Sequence, residues 1–203
     1  LVSDATRDAK IFACRQLALC GGAENVPALA ALLTNIDTSN MARIALERIP
    51  GSEADAALLD ALGKADAKSK IGIVNSLGAR KAASAVPAFG ALLKSSDPLL
   101  AESAAAALGH IGGPDAVKAL QGRVARSARD TAANALLECA EHAGDAKAAA
   151  KIYRSVGGSK AVGRGSVFFD NVRIDAKDLV GPEGGGFKQV MQGFDYSRAL
   201  IGL

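Results

Sequence analysis

LAESAAAALGHIGGPDAVKALQGRV, residues 100–124, is the stretch on which the fold turns. Its first half is almost all alanine and leucine, residues that lose little side-chain entropy in a helix. Gly112-Gly113-Pro114 then interrupts it. Glycine can take the left-handed conformation that closes a helix, and proline fits a helix start because its missing N–H has no partner there. A second helical pattern follows at DAVKALQGRV, so the stretch reads as helix, tight turn, helix.

Working outward, the second half recurs. VPALAALL (26–33), DAALLDAL (55–62), VPAFGALL (86–93) and DAVKALQGRV (115–124) place equivalent positions at Val26, Ala56, Val86 and Ala116, a period of 30 residues. One further period lands on Ala146, inside GDAKAAAKIYRSV, a fifth copy with weaker apolar content. Between the copies lie AKIFACRQLALCG, NMARIALERIPG, KIGIVNSLGAR, LAESAAAALGHIGG and TAANALLECAEHAG, with apolar residues at helical spacing such as Ile71, Val74 and Leu77, or Ile44, Leu46 and Ile49. Breaks are expected at Gly21-Gly22, Pro50-Gly51, Gly78, Gly112-Gly113-Pro114 and Gly144, with Pro27, Pro87 and Pro114 at or near helix starts. A single helix pair cannot bury its apolar face, so the copies must stack. The expected fold is all-α: an α-solenoid of about five 30-residue helix pairs over residues 1–156.

The ALGxIGxPxAVxAL pattern of residues 107–120 resembles the short bacterial HEAT-like repeat, of the phycobilisome-lyase type. The other copies match more loosely, and the resemblance spans about residues 4–156. It implies a non-catalytic binding scaffold with a protein partner on the helix-lined concave surface.

Composition adds boundaries. The chain has 203 residues, is 49% hydrophobic and 22% charged, and carries a net charge of +3. Those values describe an ordinary globular chain without the concentrated basic excess of a nucleic-acid footprint. No run approaches the roughly 18 apolar residues of a membrane span. Cys14, Cys20 and Cys139 lack metal-ligand spacing and read as small buried hydrophobes, which leans towards a reducing, cytoplasmic compartment. His110 reads as an inter-helix turn residue and His142 as a helix-end residue, with no metal site around either. The chain starts on Leu1 rather than Met, so its N-terminus reads as a fragment boundary.

Composition changes after residue 156. GGSKAVGRGSVFFDNVRI is glycine-punctuated, with strand propensity at 167–169 and 172–174 and a turn at Asp170-Asn171. DLVGPEGGG follows, and then Phe187, Val190, Met191, Phe194, Arg198 and Ile201 fall on one helix face. Residues 157–203 are therefore expected to form a separate strand-loop-helix appendage. On that stripe Arg198 either pairs with Asp195 on the helix surface or faces an anionic ligand. GPEGGGFK has the glycine spacing of a phosphate-binding loop, but Phe187 follows Gly186 where Lys belongs, and Lys188 is followed by Gln189 rather than Ser or Thr, so it reads as a turn. Lys147, Lys151, Arg154, Lys160 and Arg164, scattered across the seam, read as solvated linker charges.

FFDNVRI, LVGPEGGGF and FDYSRA, in that order, make residues 158–203 similar to acyl-CoA dehydrogenases, closest to the cyclic-acyl-CoA branch, at the junction of the middle and C-terminal domains. Asp175 departs from that family's proline. The resemblance implies that Phe194, Asp195 and Arg198 line an acyl-CoA channel. It assigns no catalytic base to this chain, whose last residue precedes the region supplying that carboxylate. It assigns no cofactor contact either, so FAD would enter only with parts supplied elsewhere. The primary expectation is a scaffold that is not itself an enzyme. The alternative is a partial or fused flavin-dependent acyl-CoA dehydrogenase.

Overall fold

The structure is a computed structural model that describes residues 5–156. These form ten α-helices and no strand: α1 (Arg7–Cys20), α2 (Val26–Ala30), α3 (Ser39–Arg48), α4 (Ser52–Lys64), α5 (Ala67–Ala79), α6 (Val86–Leu92), α7 (Pro98–Ile111), α8 (Gly113–Leu120), α9 (Arg129–Glu141) and α10 (Ala146–Val156). The strands expected at 167–174 and the helical stripe of 187–201 lie outside the described residues.

Five helix pairs are present in the described residues, as the repeat requires. The odd-numbered helices stack in chain order, α1 on α3, α3 on α5, α5 on α7 and α7 on α9. The even-numbered helices form the second layer, with α2 against α4 and α6 against α8. The core runs between the layers. Leu29, Leu33, Leu58, Phe89 and Leu93 come from the even side, Leu46, Ile73, Leu77 and Leu108 from the odd side, all fully buried. Each such side chain contributes about 1.5–3 kcal/mol of burial.

Local sequence sets the helix ends. Thr6, Asp66 and Asp97 cap α1, α5 and α7 by accepting hydrogen bonds from first-turn amides, which satisfies donors that a helix start leaves orphaned. Pro27, Pro87 and Pro114 lie in the first turns of α2, α6 and α8. Gly112 and Gly113 turn the chain between α7 and α8 with φ of 68° and 81°, a region that L side chains avoid.

Three expectations shift. Gly78 does not break α5: it stays helical, and since a Cβ there would lie 2.9 Å from Ala107 Cβ of α7, the glycine serves the close approach of the two helices. The break falls instead at Lys81, whose φ is 54° and whose N–H, with that of Ala82, closes the helix onto Gly78 and Leu77 carbonyls. The buried frame of α4 is Ala54, Leu58, Ala61 and Leu62, so Ala54 and not Ala56 is the core position. α4 begins at Ser52, directly after its N-cap Gly51, without the 3₁₀ turn that leads into α2 and α6, and runs out of the 30-residue frame. Ile44 is likewise exposed on α3 while Leu46 and Ile49 are buried.

Candidate functional site

Two classes of polar feature are built on this frame: side-chain clamps between repeats, and open grooves beside even-numbered helices. The strongest clamp is Arg80, whose side chain is only 8% exposed. Its Nε donates to Asp55 Oδ1 of α4. Nη1 faces the carbonyls of Leu46 (2.6 Å), Ile49 (2.5 Å) and Glu47 (3.2 Å), and Nη2 donates to that of Gly51 (2.8 Å). One guanidinium thus satisfies the orphaned carbonyls at the end of α3 and ties them to α4 and α5.

A second clamp crosses from α3 to α5. Arg43 Nη1 donates to Gly72 O and Ser76 Oγ, both at 2.9 Å, and Ser76 Oγ donates to Glu47 Oε1 at 2.6 Å. A Cβ on Gly72 would meet the Arg43 guanidinium at 2.6 Å, so the glycine makes room for it. Burial pushes the Arg43 pKa down and Glu47 opposes that shift. At the α7–α9 step the corresponding bridge is His110, whose Nδ1 donates to Glu138 Oε1 at 2.9 Å. His110 sits in the last turn of α7, and not in the following turn as its glycine neighbours suggest. His142 ends α9 as expected, its Nδ1 donating to Glu138 O at 2.8 Å. Arg80, Arg43 and His110 thus link adjacent repeats, while His142 bonds within its own helix.

The grooves flank α8. One, of about 560 Å³, is bounded by α8, the end of α9 and α10, with Val117, Cys139 and Ile152 in its lining and Lys118 and Lys151 beside them. The other, of about 540 Å³, lies between α6 and α8, with Val86, Pro87 and Ala119 beside Lys94, Lys118 and Arg123. Such volumes are in the range of ligand-binding clefts.

The first groove also aligns Cys139, His142 and Asp145, a residue set that invites a nucleophile reading. The geometry refuses it. Cys139 is buried, and burial pushes its thiol up to about 11 with Glu138 adding to the shift, so the thiolate is not available near neutral pH. His142 uses Nδ1 on the backbone, and Asp145 caps α10 by accepting from the amides of Lys147 and Ala148, both at 3.1 Å. Cys14 is buried like Cys139, whereas Cys20 is exposed at the end of α1, against the expectation for all three thiols. No cluster among the described residues could hold a metal ion, and no helix among them is long and apolar enough to cross a membrane.

Phe194, Asp195 and Arg198 lie outside the described residues, so the acyl-CoA channel implied for them has no geometry here. The groove cations were mostly passed over in the sequence. Lys147, Lys151 and Arg154 looked like linker charges but belong to a helix, α10. The overlooked signal is spacing: Lys94 and Arg123, and likewise Lys118 and Lys147, stand 29 residues apart, so adjacent repeats carry cations at matching places.

Helix pairs stacked in two layers, with a shared core and side-chain clamps from one pair to the next, define an α-solenoid. Comparison with known families agrees for the middle of the chain: residues 56–141 match the family model for HEAT repeats, from within α4 to the end of α9. No curated protein matches the chain.

Proposed function

We propose that this chain is a non-catalytic, protein-binding scaffold of the cytoplasm. HEAT repeats commonly mediate protein binding, and the likeness of residues 100–124 to phycobilisome-lyase-type repeats favours the same role. The observation that carries the reading is the pair of grooves beside α8, which combine apolar linings with exposed cations while the neighbouring polar clusters are consumed by capping and clamping. The test is purification of the full chain from its own cells, followed by native mass spectrometry. A protein held at fixed stoichiometry is expected; a chain that carries no protein under any gentle condition overturns the proposal.

A second reading rests on residues 158–203 and their resemblance to acyl-CoA dehydrogenases. In it Phe194, Asp195 and Arg198 line an acyl-CoA channel, and the catalytic base and flavin contacts come from outside this chain. Proton abstraction beside a thioester needs both a positioned base and a hydride acceptor. Flavin absorbance at about 450 nm at one equivalent, or turnover of a cyclic acyl-CoA, would favour this reading; colourless and inactive protein would remove it.

A further inference from the structure

The two grooves beside α8 share a wall. Lys118 lines both, with Lys94 and Arg123 on the α6 side and Lys151 on the α10 side. All four cations are exposed, and none has an ion-pair partner among the described residues. Two carboxylates stand near them. Asp145 is committed to capping α10, and Asp115 sits in the first turn of α8, where the helix dipole favours an anion. The first half of the even layer is different: on α4, Asp60 pairs with Lys64 at 2.6 Å and Asp55 with Arg80. Within the even layer, the cations without an ion-pair partner among the described residues therefore lie on the α6–α8–α10 face.

The linings between those charges are mostly apolar, with Gln121 and His142 as polar members beside α10 and no Phe, Tyr or Trp side chain. Single-stranded nucleic acid is ordinarily held by successive bases stacking on several aromatic rings over a basic track, and this surface offers only the His142 imidazole, at one edge of one groove. A protein segment with one apolar stripe and flanking carboxylates meets both features, its aliphatic side chains entering the grooves and its acids meeting the lysines.

We propose that the α6–α8–α10 face is a docking surface for an acidic, amphipathic segment of a partner protein. The proposal rests on the scaffold reading and gives it a place and a partner chemistry. Its test uses the full chain and three fluorescein-labelled peptides: one with Leu at helical spacing and Glu elsewhere, one with every Glu replaced by Lys, and one with the Glu and Leu residues scrambled. A uridine oligonucleotide completes the set. Fluorescence anisotropy should show binding of the acidic amphipathic peptide only. Lys118→Glu should weaken it about fivefold and Lys118→Glu with Lys151→Glu about tenfold or more, as the loss of exposed ion pairs implies. Because both lysines are exposed, melting curves of the variants should overlay the parent.

Equal binding of the acidic and basic peptides, an unchanged affinity in the double variant, or tighter binding of the oligonucleotide would each overturn the proposal. If no peptide binds but the natively purified chain still carries a protein partner, the docking surface falls while the scaffold reading stands. If that partner is missing as well, both fall.

Discussion

Arg80→Ala should be the most damaging single truncation at a polar position in the described repeats. The guanidinium serves Asp55 and the carbonyls of Leu46, Glu47, Ile49 and Gly51, and its side chain is almost wholly buried. Nη1 has two protons for three carbonyls, so those bonds cannot all be worth their full value. Removing one partner of a buried ion pair costs about 3–5 kcal/mol because the other is left uncompensated. Asp55 is 22% exposed and can partly rehydrate, which puts the loss near the lower end, about 3 kcal/mol. For a domain of this size that is about 6–12 °C in Tm. Arg80→Lys keeps the charge but not the fork, and should recover less than half of the loss. Thermal and urea melts followed by circular dichroism would measure both, and hydrogen exchange should show lost protection at the end of α3 and the start of α4. A loss below about 1 kcal/mol in Arg80→Ala, the range of an exposed ion pair, would refute the claim that this residue holds two repeats together.

Other outcomes follow from the same geometry. Gly78→Ala should destabilise by about 1–3 kcal/mol, since its Cβ would press on Ala107 across the α5–α7 contact; Gly63→Ala, in the last turn of α4 with nothing within 4 Å of its Cβ, should stabilise by about 0.5 kcal/mol in the same melts. Lys81→Gly should stabilise by up to about 1 kcal/mol by relieving the positive φ. Iodoacetamide near neutral pH should modify Cys20 in the native chain and spare Cys14 and Cys139, as peptide mass mapping would show, because burial raises both of their thiol pKa values. The Asp66 carboxyl is held below its usual pKa by the Ser69 amide and hydroxyl. Its contribution is therefore present above the unfolded carboxyl pKa and lost as pH falls through the lowered folded one, so the Tm gap between Asp66→Ala and the parent should be full at neutral pH and close in strong acid.

The helix pairs were legible because alanine-rich amphipathic segments and Gly-Pro punctuation are local signals. Gly112-Gly113-Pro114 turns the chain where its residue types dictate, and Pro27 and Pro87 open helices as they should. What local pattern could not carry was the identity of the neighbour. Gly78 looks like a helix stop until Ala107 is placed against it, and Lys81 has no composition that marks it for the left-handed region. Arg80 gives no sign in sequence that its five nearest acceptors come from residues 46–55.

The grooves follow from a difference between the two layers that is itself a matter of residue size. In the odd layer, Cβ atoms built on Gly78 and Gly109 would lie 2.9 and 3.0 Å from Ala107 and Ala135, so helix backbones there meet as closely as small residues permit. In the even layer a Cβ on Gly90 would stand 3.8 Å from Ala119, an ordinary contact with room to spare. The two helices that bound the α6–α8 groove are also short, seven residues in α6 and eight in α8 against fourteen in α7. Short helices at looser spacing leave their flanks uncovered, which exposes half-buried Val117 between two grooves and lets long cations such as Lys118 lie along both. The odd layer is thus closed by its small residues, while the flanks of α8 stay open. Filling the α6–α8 groove with Gly90→Leu should then leave the stacking of the odd layer intact, as read by melting, and weaken binding of the acidic amphipathic peptide. If it unfolded the repeats instead, the even layer would be packing and not surface.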